Sequence, residues 1–171
     1  LEGWLRESRR ILLADPVNAR RRATGRPALD VAVTKWASWI DPALPSFLRH
    51  TGLRGAAVTD TALYRGLARL LDMPLVNVPY DPADPAADMR RRLDAARDLL
   101  ATHDFVHVHV KATDEAAHTK RPAWKRDVIE ATDAGLAALL ELADRAVVAV
   151  TGDHASPSVG GLLHSGDPTP F

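Results

Sequence analysis

Cysteine is absent from all 171 positions. That excludes disulfides, thiolate metal sites and a cysteine nucleophile. Any bound metal must then be held by His, Asp or Glu together with water, a donor set that favours Zn, Mn, Mg or Fe over thiophilic ions. A charge bias is missing too: Lys+Arg and Asp+Glu each number 22, for a formal net charge of zero. Such a chain offers no electrostatic case for nucleic acid or an anionic membrane as partner. Arg20, Arg21 and Arg22 do cluster, but Asp15 and Asp30 stand close by in sequence, and the cluster reads as a solvated face. No apolar run reaches the ~18 residues of a membrane-spanning helix. Leu1-Glu2-Gly3-Trp4 carries neither a Met nor a signal peptide, and Asp167-Pro168-Thr169-Pro170-Phe171 is no natural-looking stop, so a piece of a longer protein is expected.

What is present is a chain that is 46% hydrophobic, enough for one domain of roughly 100–200 residues with a sizeable core. Residues 4–13 predict a short helix with Trp4, Leu5, Ile11, Leu12 and Leu13 as its apolar face, closed by Asp15-Pro16. Residues 16–28, basic and holding Gly25 and Pro27, read as a linker or domain edge. Strands and helices then alternate. Strands are expected at Leu29–Trp36, Gly55–Thr59, Pro74–Val78, Phe105–Val110 and Ala146–Val150, the last two being the most Val-rich. Helices are expected at Thr61–Asp72, Pro85–Thr102 and Pro122–Leu142. The second has Asp84 as N-cap, Pro85 in its first turn, and Ala86, Met89, Leu93, Ala96 and Leu100 as one apolar stripe, with Arg and Asp elsewhere. Apolar strands separated by helices predict an α/β fold with a mainly parallel sheet covered by helices on both faces.

In such sheets sites form beyond the carboxyl ends of strands. Phe105–Val110 leads into Lys111 and then Asp114 and His118, whose i, i+4 spacing puts both side chains on one helical face. Ala146–Val150 leads into Thr151-Gly152-Asp153-His154; at a sharp turn eased by Gly152 the last two can approach one metal or serve two. His164 adds an imidazole ten residues later. Taken singly, a pair like Asp114 and His118 is more often a helix cap plus a surface histidine, and Asp-His at a strand end is similarly ambiguous. His107 and His109 share one strand face and read as packing or supporting groups, while Lys111 reads as a substrate or supporting cation. The crowding of His and Asp at strand ends points to a joint site.

Three segments in order, Thr113-Asp114-Glu115-Ala116-Ala117-His118, Thr151-Gly152-Asp153-His154 and His164-Ser165-Gly166-Asp167-Pro168, resemble the metal motifs of the alkaline-phosphatase superfamily, most closely those of the archaeal-type cofactor-independent phosphoglycerate mutase family. Upstream, Asp15-Pro16-Val17-Asn18 with Arg21 and Gly25, Leu44-Pro45-Ser46-Phe47, Gly52-Leu53-Arg54-Gly55-Ala56, Tyr64-Arg65-Gly66, Lys125, Ile129-Glu130 and Asp133 fit as well. The resemblance implies a cytoplasmic, metal-dependent isomerase with two divalent ions, Mn or Zn. Asp114, His118 and His164 would hold one ion, and Asp153 and His154 the other. Arg65 and Lys111 would bind a small phosphorylated substrate. It further implies that a third Asp and a nucleophilic Ser or Thr come from a missing N-terminal segment of the same protein, so this segment alone would be inactive. Residues 1–28 would be the tail of an inserted cap domain and linker, and 29–171 the C-terminal half of an alkaline-phosphatase-like core. Two glycine-rich stretches usual in that family are replaced here by Trp36-Ala37-Ser38-Trp39 and Tyr80-Asp81-Pro82-Ala83-Asp84-Pro85. A phosphatase, phosphodiesterase or other phosphotransferase of the same scaffold, or a degenerate homologue that only binds metal, is the alternative.

Overall fold

A computed structural model describes residues 1–33, 43–142 and 145–171. The chain divides into two compact units, Leu1–Pro42 and Ala43–Phe171.

In the first unit, helices α1 (Glu2–Ala14) and α2 (Pro16–Ala23) meet at Asp15. Asp15 ends α1 in an extended conformation and its carboxylate caps α2 by accepting from the Val17 N–H at 2.7 Å. Residues 16–23 are therefore helical where a linker was expected. Pro16 stops α1, but it also suits the first turn of the next helix, where its missing N–H costs nothing. The expected apolar face of α1 is only lightly covered: Trp4, Ile11 and Leu13 remain exposed. The polar residue that organises this unit is Asn18, 2% exposed. Its amide donates to the Leu12 and Leu29 carbonyls at 2.7 and 2.9 Å and accepts from the Leu29 N–H at 2.7 Å. Arg21 donates through Nε to the Pro27 carbonyl at 2.8 Å, and Gly25 takes a left-handed φ of 69°. The Pro-Val-Asn…Arg…Gly pattern thus folds a helix end back on its own following strand of chain.

The second unit is built on a three-stranded parallel sheet in the order β2-β1-β3, with β1 Gly55–Val58, β2 Leu75–Val76 and β3 Phe105–Val108. Ala57 pairs with Leu75 on one side and His107 on the other. Every β1 residue is buried, as a small-residue central strand between two helical layers requires. On one face, α3 (Phe47–Thr51) and α4 (Ala62–Leu70) pack Phe47, Ala68 and Leu71 around Ala57, Met73 and Leu75. On the other, α5 (Pro85–Leu100) packs Ala95, Ala96 and Leu99 on Val58, Val76, Val106 and Val108. The Asp84 side chain caps α5 by accepting from Ala87 N–H at 2.8 Å. Beyond β3 come α6 (Ala112–His118) and α7 (Pro122–Gly135), joined through Ala112, Ala116 and Val128, then a 3-10 turn at Leu136–Glu141. The expected α/β class, parallel sheet and two-sided helical cover are all present.

Two expected strands are corrected. Residues 29–33 form no strand, and residues 34–36 of that expected strand lie outside the described residues. Residues 146–150 are not a strand either, and Val147 is fully exposed. A β-strand is made by its neighbour's backbone, and among the described residues no neighbour pairs with this Val-rich stretch. The α5 flank beside its apolar stripe also carries charge into the interior. Asp88 and Arg92 are buried, with Arg92 Nε donating to Asp88 at 2.7 Å and its other nitrogens reaching Asp60 and the His109 carbonyl, both at 3.2 Å. This pair ties α5 to the carboxyl ends of β1 and β3.

Candidate metal centre

α6 follows β3 directly, so its first turn sits at the carboxyl end of the sheet. One helical turn separates Asp114 from His118, and His118 Nε2 lies 3.1 Å from Asp114 Oδ1. The loop after Thr151 returns to the same carboxylate. An antiparallel bridge between Ala155 and Ser165 closes it, with Ser165 N–H donating to the Ala155 carbonyl at 3.0 Å. Two ammonium groups hold the loop from below. Lys120, in a left-handed turn after α6, donates to the Pro157 carbonyl at 2.8 Å and also to the Leu162 carbonyl, and Lys125 of α7 donates to the Ser156 carbonyl at 2.7 Å. Thus folded, the loop sets His164 Nε2 3.4 Å from Asp114 Oδ1.

Asp114, His118 and His164 each offer one ligand atom within 4.8 Å of the others. Two donors ~2.0–2.1 Å from a tetrahedral ion stand about 3.3 Å apart. The 3.1 and 3.4 Å separations bracket that value, so Asp114 stands from each imidazole at the spacing of two ligands on one divalent ion. Asp153 and His154 form an adjoining pair, His154 Nε2 lying 3.6 Å from Asp153 Oδ2. The two groups touch: the His154 and His164 rings are 3.9 Å apart, and the His118 and His164 rings 5.2 Å.

Two residues that the spacing argument did not single out complete the arrangement. Ser156, buried in the loop, donates to Asp114 Oδ1 at 2.5 Å and lies 3.2 Å from His154 Nδ1. Tyr64 of α4 donates its hydroxyl to Asp153 Oδ2 at 2.9 Å and stacks on His109 at 3.8 Å. The available signals were slight: a hydroxyl two residues after His154, and Tyr64 as the neighbour of Arg65 in a family-like tripeptide.

Electrostatics follow from these contacts. Burial pushes the Asp114 carboxyl up, but the Ser156 hydroxyl and the His118, His154 and His164 rings outweigh it and leave the acid below its ordinary value. Asp153 behaves likewise, burial opposing the Tyr64 hydroxyl and His154 and losing to them. Both are carboxylates at neutral pH. Tyr64 is pushed up to about 12, first by burial and then by the Asp153 charge. Burial, reinforced by neighbouring His107, lowers His109 to about 4. His109 Nδ1 faces the Thr59 and Thr61 hydroxyls at 3.4 and 3.2 Å, and the His107 ring packs against Tyr64 at 5.4 Å. Arg65 and Lys111 stand outside this set of bonded side chains among the described residues. Lys111 is exposed at the start of α6, and Arg65 has a buried Nε with no hydrogen-bond partner.

A parallel sheet with a His- and Asp-lined loop cluster at its carboxyl end is the architecture of an α/β metalloenzyme. The family model of the Metalloenzyme superfamily matches residues 14–171, and the chain belongs to that superfamily. It is 39% identical over all 171 residues to a 2,3-bisphosphoglycerate-independent phosphoglycerate mutase of Thermoplasma acidophilum, spanning 42% of that protein. It is 34% identical over the same length to 2,3-bisphosphoglycerate-independent phosphoglycerate mutase 2 of Methanocaldococcus jannaschii, spanning 37% of it. Among solved structures, a Pyrococcus horikoshii protein superimposes with a TM-score of 0.72 at 28% identity, over 98% of this chain and 44% of that one. The cofactor-independent phosphoglycerate mutase of Thermoplasma acidophilum does so with a TM-score of 0.56 at 36% identity, over 88% and 38%. The chain therefore spans about two fifths of the curated relatives named here.

Proposed function

We propose that this chain supplies the C-terminal half of a two-metal phosphoryl-transfer site, in an enzyme that converts 3-phosphoglycerate to 2-phosphoglycerate. The observation that carries the reading is the convergence of Asp114, His118 and His164 at metal-ligand spacing, with Asp153 and His154 in ring contact beside them. Asp114, His118 and His164 would hold one divalent ion, and Asp153 and His154 part of the shell of a second. Mn and Zn both accept this mixed nitrogen and carboxylate set. Bound ions of this kind neutralise phosphoryl oxygens and activate a hydroxyl for in-line transfer.

The chain's own residues bind and orient. Two ionised carboxylates and three imidazoles would hold the ions, and Tyr64 holds the Asp153 carboxylate by hydrogen bond. Arg65 and Lys111 are the cations we assign to the phosphate and carboxylate groups of a small phosphorylated substrate. The Ser or Thr that carries the phosphoryl group in transit, and a further Asp ligand, belong to a segment outside this chain. In this reading residues 1–28 are the tail of an inserted cap domain and its linker, residues 29–171 are the C-terminal core half, and the enzyme is cytoplasmic.

A phosphatase is the second reading, and one observation favours it. The stretch 80–85, where a glycine-rich loop could receive phosphate, is instead a bonded turn. Tyr80 N–H donates to Asp60 at 2.9 Å, Ala83 N–H to Asp81 at 3.0 Å, and Asp84 caps α5. Those amides are spent on the protein. Supplying 3-phosphoglycerate to the full-length protein and following both 2-phosphoglycerate and free phosphate separates the readings. A mutase yields the isomer without release, whereas phosphate release without the isomer would overturn the mutase assignment.

A further inference from the structure

We propose that Ser156 is a positioning residue that joins the two half-sites, its hydroxyl donating to Asp114 while accepting from His154 Nδ1–H. The inference rests on the metal-site reading above and concerns a residue outside the ligand set.

Counting protons leads to it. A serine hydroxyl has one hydrogen to give. The Asp114 carboxylate can only accept, and at 2.5 Å from Ser156 Oγ it takes that hydrogen. Among the described residues, the other hydrogen-bonding neighbour of Ser156 Oγ is His154 Nδ1 at 3.2 Å. For that contact to be a hydrogen bond, Nδ1 must carry the proton. Neutral His154 then presents the lone pair of Nε2, the atom that faces Asp153 Oδ2 at 3.6 Å. One hydroxyl therefore does two things. It selects the tautomer able to bind an ion beside Asp153, and it orients the carboxylate that His118 and His164 approach. Outer-shell partners of this kind typically change metal affinity by about 10–100-fold when removed.

The backbone of Ser156 is fixed independently of its hydroxyl. Its carbonyl accepts from Lys125 at 2.7 Å, and the neighbouring Ala155 bridges to Ser165. Ser156→Ala should therefore remove the relay and leave the loop. Ser156→Thr keeps a hydroxyl at the same place and serves as the rescue.

The test has two arms on the full chain. First, in metal-free protein labelled with 15N-histidine at mildly alkaline pH, long-range 1H–15N correlation reads the His154 tautomer. The expected result is Nδ1–H in the wild type and in Ser156→Thr, with a shift towards Nε2–H in Ser156→Ala. Second, titration with Zn2+ or Mn2+ alone should give an affinity about 10–100-fold weaker in Ser156→Ala than in the wild type and recovered in Ser156→Thr. A wild-type Nε2–H tautomer, or a tautomer that Ser156→Ala leaves unchanged, overturns the inference. Unchanged metal affinity in a folded Ser156→Ala overturns it also. Wild-type protein that binds neither ion but shows the Nδ1–H tautomer, lost in Ser156→Ala, would instead sink the metal-site reading and leave the positioning role standing.

Discussion

Arg92 shows how much one buried side chain holds in this molecule. It is wholly buried, and its guanidinium is shared between Asp88, Asp60 and the His109 carbonyl. Removing one member of such a set leaves the others as uncompensated buried polar groups. Arg92→Met should cost about 3–5 kcal/mol of stability, read as a lower urea midpoint at unchanged slope. Replacing Arg92 and Asp88 together by apolar residues should recover much of that loss. A second residue, His109, makes stability depend on pH. Its folded value lies near 4 against 6.5 for the free side chain, chiefly because it is buried. Between those values the unfolded chain binds a proton that the folded chain refuses. This contribution is therefore full above pH 6.5 and is lost progressively as pH falls towards 4. Denaturation midpoints measured across that window should decline in the wild type and flatten in His109→Gln. An equal decline in both would assign the effect to other groups.

Among the elements, the α5–α7 packing turns on a missing side chain. A Cβ on Gly135 would stand 2.6 Å from Met89 Cβ and 2.7 Å from the Ala86 carbonyl oxygen. Neither the root of a side chain nor a helix backbone can yield cheaply, so Gly135→Ala should destabilise by about 1–3 kcal/mol despite its better helix propensity. A gain in thermal midpoint would contradict that packing. The elements also show what the sequence makes legible. α4 follows from apolar periodicity, and α5 and α7 from periodicity and a proline in the first turn, because a helix bonds within itself; α7 ends at Gly135, where a 3-10 turn replaces the rest of the helix expected to Leu142. β1 and β3 are found because helices cover them. The stretch 146–150 has the same Val-rich composition and forms no strand, since pairing depends on a second segment and not on propensity. Pro16 misleads for a different reason: one residue ends a helix and begins the next. The burial of Asp88 and Arg92 was hidden because an i, i+4 ion pair looks the same on a solvated and on a buried face.

At the scale of the whole molecule, the candidate centre is assembled from segments far apart in sequence. Asp114 and His118 are legible as a pair through helical spacing, and Asp153-His154 and His164 through their motif-like surroundings. The side chains that bind these groups together are not. Ser156 meets Asp114 across 42 residues and Tyr64 meets Asp153 across 89, contacts that only the folded sheet creates. Lys120 carries no sequence signal, and Lys125, though it fits the family pattern, shows nothing of its role there, since the acceptors of both are backbone carbonyls that carry no sequence signature. Lys125→Ala should loosen the loop that presents His154 and His164, lowering metal affinity while helix content by circular dichroism stays unchanged. Unaltered affinity would show that Lys120 and the Ala155–Ser165 bridge suffice. The chain covers about two fifths of the relatives named above, and the ion sites proposed here are expected to be completed by residues outside it.

The most direct test of the account is the metal content of the purified full-length protein, wild type beside His118→Ala and Asp153→Ala. The account predicts divalent metal in the wild type and a lower content in each variant, since the two substitutions strike different half-sites. A wild type that retains no ion after equilibration with Mn2+ or Zn2+, or variants that retain as much as the wild type, would contradict it.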